Sequence, residues 1–465
     1  MKLSDEIGNV ETENSLKKKG ISRRDFMKFS ATTTAAVMSM GPACLFTSCY
    51  QSGDGLDPFN NGSDERNLIV VISDLHLGAD ISYTETKDNL IPLENFLKRI
   101  EDSTNVKELV IGGDLLDEWF VPATVDTYNG YDQFDFVERI AATNNRVFDA
   151  FNRIITAGKI LVTYVPGNHD LTITDANVEN VLPGINQARD TGLLGLGTYS
   201  PAGQPKIAIE HGHRYNFFCS PDPISHKVSI DPGTILPPGY FFTRIAAEHV
   251  VQKCKSGADV VPLVVPDPLW NSAQFLPYKY WQKWEWTLKA FPIKNLFNEN
   301  IIVTNVNKFT ATYAVNDLLP SQAVDKGPIS VILFNGIEDK WAARCLLNNV
   351  PVPIPTAEAI DNVLSASQTD NMAVTQYFMN PVSDKKLVVF GHSHVPKIKA
   401  STSDKGEKTV YVNSGTWIDH NPDKVTMTFV VITPQRADEN SQTAVKLYNF
   451  ENEDVTEMAK DSVRL

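Results

Sequence analysis

The chain has 465 residues, of which 42% are hydrophobic and 21% charged, with a formal net charge of −14 and five cysteines. That much apolar material supports a sizeable core of one to three domains and excludes a mostly disordered, collagen-like or disulfide-stapled chain. The acidic balance also argues against a sequence-independent binder of DNA or RNA, because nucleic acid phosphates demand a basic surface.

The first fifty residues read as a leader. Ser22-Arg23-Arg24-Asp25-Phe26-Met27-Lys28 precedes an uncharged, mildly apolar stretch from Phe29 to Gly53 that is rich in Thr, Ala, Ser and Met. A basic pair before a weakly hydrophobic run looks like a twin-arginine export signal. Gly41-Pro42 and the scarcity of large aliphatic residues count against a membrane-spanning helix. Phe46-Thr47-Ser48-Cys49 loosely resembles a lipobox, although Phe46 is unusual there, so lipidation of Cys49 and cleavage near Ala43 both stay open. The first outcome anchors the protein on the outer side of the membrane; the second leaves it periplasmic. Residues 1–48 carry seven Lys/Arg against five Asp/Glu, so their removal takes the net charge from −14 to −16. Residues 49–66 then read as a flexible linker. Cys219, Cys254 and Cys345 remain, either as one disulfide and a thiol or as three buried thiols.

From Leu68 onward one device repeats: a short β-branched run, then a turn bearing Asp, His or Asn. Leu68–Ile72 runs into Ser73-Asp74-Leu75-His76, and Leu109–Ile111 into Gly112-Gly113-Asp114. Ile160–Val165 runs into Pro166-Gly167-Asn168-His169-Asp170, Ile207–Glu210 into His211-Gly212-His213, and Leu387–Phe390 into Gly391-His392-Ser393-His394. Continuous apolar runs of this length read as strands covered on both faces. Helical spacing marks Ile91 to Ile100, and Phe136, Ile140, Val147, Phe151 and Ile154 mark a longer helix. Strand–helix alternation predicts an α/β fold with its site at the carboxyl edge of the strands. Glycine beside the polar groups lets backbone turn sharply and approach an ion.

In this order, Asp74-x-His76, Gly113-Asp114-x-x-Asp117, Gly167-Asn168-His169-Asp170, His211 and Gly391-His392-x-His394 resemble the calcineurin-like metallophosphoesterase superfamily, over roughly residues 66–215 and 384–450. The resemblance implies a two-sheet α/β sandwich. Its core would comprise 67–215 and 384–465, interrupted by a partly helical cap at 216–383. It also implies two divalent metal ions: Asp74, His76, Asp114 and His394 on one, and Asp114, Asn168, His211 and His392 on the other, with Asp114 bridging. These oxygen and nitrogen donors suit manganese, iron or zinc, and the motifs contain no cysteine for a thiolate site. A metal-bridging hydroxide would attack phosphorus in line with the departing group. His169 would stand against the substrate and stabilise the transition state or protonate the leaving oxygen. Asp117 would orient His169, helix capping being its alternative role. Asp170 reads as a support of its loop and His213 as structural. Arg214 is a candidate substrate contact, with a surface salt bridge as the alternative. His226, His249 and His420 have no partner motif.

His211 and His392 lie 181 positions apart, far more than one strand–helix unit needs. The interval begins Pro-rich from Phe217 to Tyr240, continues with a helical pattern from Phe241 to Lys253, and then carries Trp270, Phe275, Tyr278, Tyr280, Trp281, Trp284, Trp286, Phe291 and Phe297. These aromatics fit glue between insertion and core, a lid over a hydrophobic leaving group, or a membrane-facing surface. Asp114-Leu115-Leu116-Asp117-Glu118-Trp119 resembles the branch containing UDP-2,3-diacylglucosamine pyrophosphatases. An export signal does not suit that cytoplasmic pathway, so the substrate does not transfer. The expectation is an exported dinuclear phosphoesterase acting on a phosphodiester or phosphoanhydride of a small, lipid- or nucleotide-linked substrate. A phosphomonoesterase or nucleotidase is the alternative within enzymes, and a metal-containing surface-binding protein is the alternative outside them. No nucleic acid partner is expected.

Overall fold

β-Branched runs that send alternate side chains into two different apolar environments form the centre of the molecule. The computed structural model describes residues 57–465 except 193, 227–233, 268–271, 307–308, 422–424 and 437–440. The leader, Cys49 and Trp270 lie outside the described residues. The first half contains β1 (Leu68–Ile72), α1 (Leu90–Asp102), β2 (Val106–Gly112), α2 (Gln133–Thr143), α3 (Asn145–Ala157), β3 (Leu161–Val165), α4 (Asp175–Val181), β4 (Asn186–Gln187) and β5 (Ile207–Ile209). An insertion follows with α5 (Pro238–Gln252), α6 (Ser272–Ala290), the hairpin β6 (Asn300–Val306) and β7 (Phe309–Ala314), and β8 (Ser321–Gln322) and β9 (Ile329–Ser330). It ends with α7 (Ile337–Leu347), α8 (Thr356–Asn362) and α9 (Ala366–Ala373). The chain then returns through β10 (Leu387–Phe390), β11 (Lys397–Thr402), β12 (Lys408–Asn413), β13 (Thr428–Thr433), β14 (Thr443–Glu451) and β15 (Asp454–Val463).

These strands build a seven-stranded sheet, ordered β15-β14-β13-β1-β2-β3-β4, and a four-stranded sheet, ordered β11-β12-β10-β5. β1 to β4 are mutually parallel, as are β5, β10 and β12. The period of two assigns the layers. Leu68, Val70 and Ile72 pack with Phe96, Phe136 and Phe151 of the helices, whereas Ile69 and Val71 meet Ile207, Ile209, Leu387 and Val389 of the second sheet. The outer face of that second sheet, through Ala208, Val388 and Phe390, packs on Phe217, Phe241, Trp284 and Trp341 of the insertion. Helices, sheet, sheet and insertion thus form an α/β sandwich. Most of the conspicuous aromatics are interior: Tyr280, Trp281, Trp284, Phe291 and Phe297 are buried, while Trp286 is 39% exposed.

The structure corrects one of these expectations and adds detail to two others. The long helix expected through Phe136 and Ile154 is two helices broken at Asn144, whose side-chain amide donates to the carbonyls of Gly78 at 2.9 Å and Ile140 at 2.8 Å. The apolar period survives the break because both helices pack the same face against the sheet. The linker expected over 49–66 is anchored in its described part. Phe59 packs against the rings of Phe96 and Phe429, and Ser103 Oγ donates to its carbonyl at 2.8 Å. Cys219, Cys254 and Cys345 are all free thiols, and Cys254 is only half-buried. No helix among the described residues is long and apolar enough to cross a membrane.

The insertion is locked to the loop after Asp117 by Arg244 of α5, which is fully buried. Its guanidinium donates to the carbonyls of Val121, Pro122, Val125 and Val303 and to Thr127 Oγ1. Arg244→Ala would strand several buried carbonyls without donors, each worth about 1–3 kcal/mol. Urea unfolding should therefore show a loss of at least about 3 kcal/mol; a change below about 1 kcal/mol would mean these bonds are dispensable.

Candidate metal centre

The five motifs end five parallel strands, three in the first sheet and two in the second, and the sandwich brings their turns to one rim. The turns are tight. Of the thirteen non-glycine residues with positive φ among those described, five are Asp74, His76, Asp114, His392 and His394. Such backbone is sparsely populated by L-residues and persists only where the surroundings hold it. Glycine supplies the clearance at Gly167, where a Cβ would fall on the Asp114 carboxylate, and at Gly113, where it would fall on the His211 ring.

Asp74, His76, Asp114 and His394 offer ligand atoms that all lie within 4.8 Å of one another, and all four residues are buried. His394 Nε2 lies 2.9 Å from Asp74 Oδ1 and 3.2 Å from His76 Nε2. On the other side, His211 Nε2 lies 3.0 Å from Asp114 Oδ2 and 3.1 Å from Asn168 Oδ1. Asp114 Oδ2 is also 3.6 Å from His76 Nε2, so one carboxylate oxygen sits between both groups. The His392 ring centroid is 5.1 Å from that of His211, and His392 Nε2 is buried with no hydrogen-bond partner among the described residues.

The tautomers show why this set fits a cation. His211 Nδ1 donates to the Gly112 carbonyl at 2.9 Å, and His76 Nδ1 donates to Asp117 Oδ2 at 2.9 Å. With Nδ1 carrying the proton, each neutral ring turns its Nε2 lone pair inward, His76 toward Asp114 Oδ2 and the His394 ring, and His211 toward Asp114 Oδ2 and Asn168 Oδ1. A proton or a metal ion must fill that gap. Protons alone would have to bind tightly. Burial opposes charge on His76, but the hydrogen bond to Asp117 and the charges of Glu85 and Asp114 outweigh it and raise its pKa to about 10. Burial likewise opposes charge on His211, and Asp114 and Asp74 raise its pKa to about 9. The donors are oxygen and imidazole nitrogen, the chemistry that suits divalent first-row ions.

His169 stands beside this group. Its Nδ1 donates to Asp117 Oδ1 at 2.8 Å, and its ring stacks on Trp119 with centroids 5.1 Å apart. Asp117 Oδ1 also accepts from the backbone amides of Trp119 at 3.0 Å and Phe120 at 2.7 Å. Orienting an imidazole and capping a turn are therefore both done by one carboxylate. Asp170 braces the loops by accepting from Gly167 N at 2.6 Å and Leu115 N at 2.8 Å. Burial, then the Asp114 charge, lifts its pKa to about 6. His213 is buried 5.4 Å from the His211 ring, and burial with the nearby imidazoles lowers its pKa.

The structure places Arg214 in a buried ion pair rather than a surface one. It is buried, with Nε 2.9 Å from Glu210, Nη2 2.9 Å from Asp190 and a bond from Nη1 to the Asn348 carbonyl. A motif-adjacent arginine looks the same in sequence whether its partner is a phosphate or a carboxylate brought in from elsewhere. Glu85 was missed altogether. This buried carboxylate lies 3.4 Å from His76 Nδ1 and comes from a polar loop with no motif to single it out.

Residues 68–238 match the family model for calcineurin-like phosphoesterases. The chain carries a calcineurin-like phosphoesterase domain. That domain indicates a metal-dependent phosphoric ester hydrolase. The match takes in the first four motifs of the phosphoesterase and stops at the start of α5; the fifth, Gly391–His394, joins them through the pairing of β10 with β5. No curated protein matches the chain.

Beside Asp117 in the chain, Glu118 is fully buried, accepting from Tyr128, Thr172 and Gln133. Burial raises its pKa from 4.5 to about 7. Between those values the folded state keeps a proton that the unfolded chain has released, so this group costs stability as pH rises through the window. Glu118→Gln removes that cost. Melting temperatures should therefore favour the variant over wild type more at pH 8 than at pH 5; an equal or reversed difference would show that Glu118 is charged in the folded state throughout.

Proposed function

We propose that this phosphoesterase is an exported dinuclear enzyme that cleaves a phosphodiester or phosphoanhydride. The observation that carries the two-ion reading is the Asp114 carboxylate oxygen standing between His76 and His211. Asp74, His76, Asp114 and His394 would hold one ion, and Asp114, Asn168, His211 and His392 the other. When bound, divalent ions supply positive charge to phosphoryl oxygens and acidify water. Manganese, iron and zinc all fit the donors.

The chain's own residues do the rest. Asp117 holds the Nδ1 proton of His169, which leaves Nε2 for the leaving oxygen of the substrate. Trp119 stacks against the same ring and limits its rotation. Asp117 also grips His76, so the residue that orients the substrate-facing imidazole and the residue that orients a metal-ligand imidazole are one and the same.

The commitment of Arg214 to Glu210 and Asp190 supports a diester or anhydride over a monoester. A monoester dianion would draw on that second cation more than a singly charged diester does. The Glu118-Trp119 pair after Asp117 supports the pyrophosphatase-like branch for the chemistry, without fixing the leaving group. Export rests on Arg23-Arg24 and the run that follows, with lipid at Cys49 or cleavage near Ala43 as its endpoints.

With manganese supplied, turnover of bis-aryl phosphate should exceed that of mono-aryl phosphate, and the reverse preference would sink the diesterase reading. His169→Ala should retain its metal in elemental analysis while losing about 10²–10⁴-fold in turnover. Unchanged turnover would remove His169 from the mechanism.

A further inference from the structure

The insertion reaches the metal-ligand loop through one carboxylate. Asp370, in α9, is 3% exposed. Its Oδ1 accepts from Ser393 Oγ at 3.0 Å, from the Tyr411 hydroxyl and from Asn413 Nδ2 at 3.4 Å. Its Oδ2 pairs with Lys397 Nζ at 2.5 Å. Ser393 is fully buried and lies between His392 and His394 in the chain. Those two histidines have φ of 64° and 56°, so the loop needs outside support to keep its shape.

Support from the catalytic core is visible. Asp74 accepts from His392 N at 3.1 Å, and Asn413 Nδ2 donates to the Gly391 carbonyl at 2.6 Å and to Ser393 Oγ at 3.0 Å. Asp370 completes this set from the insertion side. It gathers the loop, β12 through Tyr411 and Asn413, and the first residue of β11, Lys397, on a single side chain.

We propose that Asp370 is a positioning residue for the metal centre: acting through Ser393, it holds His392 and His394, so that ion affinity depends on how the insertion is docked. The proposal rests on reading those two histidines as ligands. A buried counter-ion for Lys397 is the plainer role for Asp370. The two roles separate at Ser393, because Ser393→Ala leaves the Asp370–Lys397 pair in place while cutting the link to the loop; it also removes the Asn413 bond to the same hydroxyl, so the double variant with Asp370→Asn assigns the loss.

The test is equilibrium binding of manganese to the chelator-stripped, full-length protein, with free Mn²⁺ read by electron paramagnetic resonance and folding checked by circular dichroism. Partners that orient metal ligands are typically worth about 10–100-fold in affinity. Asp370→Asn and Ser393→Ala should each weaken manganese by about that factor, and the double variant should be no weaker than Asp370→Asn alone. Asp361→Asn, which removes an exposed pair with Lys279 in the same insertion, should leave affinity unchanged. Wild-type affinity in folded Ser393→Ala, or losses that multiply in the double variant, would overturn the proposal. If Asp370→Asn does not fold, Asp370→Glu takes its place, alone and in the double variant. A wild-type protein that binds no manganese at all would overturn the ligand reading itself, and this proposal with it.

Discussion

Buried lone pairs facing one another are the constraint on which the rest of this structure depends. His76 and His211 each spend Nδ1 on a fixed acceptor, Asp117 in one case and the Gly112 carbonyl in the other, and so both turn Nε2 toward the same oxygen of the Asp114 carboxylate. In a dry interior such an arrangement is costly unless positive charge fills it. The left-handed backbone at five motif residues and the glycines with no room for a Cβ are further costs, concentrated at the same rim. A site that accumulates this much strain is stable only inside a large and well-packed frame.

The frame has an economical logic. Parallel strands deliver their carboxyl ends to one edge, and two sheets packed face to face deliver two such edges side by side. The insertion then covers the outer face of the second sheet, which would otherwise expose Val388 and Phe390, and sends Arg244 into the loop after Asp117. Its aromatic residues are largely committed to that packing. The segment that looks in sequence like an appended lid is thus one of the four layers, and both Arg244 and Asp370 tie it to loops of the site.

What sequence could reveal followed the range of the interactions involved. The runs at Leu68–Ile72 and Leu387–Phe390 are strands with those bounds because continuous apolar character between polar turns is a local signal. The histidines and aspartates of the five motifs were legible for the same reason: each sits within six residues of the end of such a run. Asn144, Arg214 and Asp370 were not, since each owes its role to a partner outside its own segment: Gly78, Asp190 and Ser393 respectively. Glu85 is near His76 in the chain but sits in a polar loop with no pattern to single it out. Phe59 escaped notice because an anchoring ring in a polar stretch looks like a tether until its pocket is seen.

The acidity of the chain also takes on a specific meaning. With Arg214 neutralised by two carboxylates, divalent ions held at the rim would supply the positive field that a phosphorylated substrate needs. Crystals of the manganese-loaded protein, measured for anomalous scattering at the manganese edge, test this most directly. Two peaks are expected, one among Asp74, His76, Asp114 and His394 and one among Asp114, Asn168, His211 and His392. Density without an anomalous peak at this rim, or ions bound only elsewhere, would contradict the account.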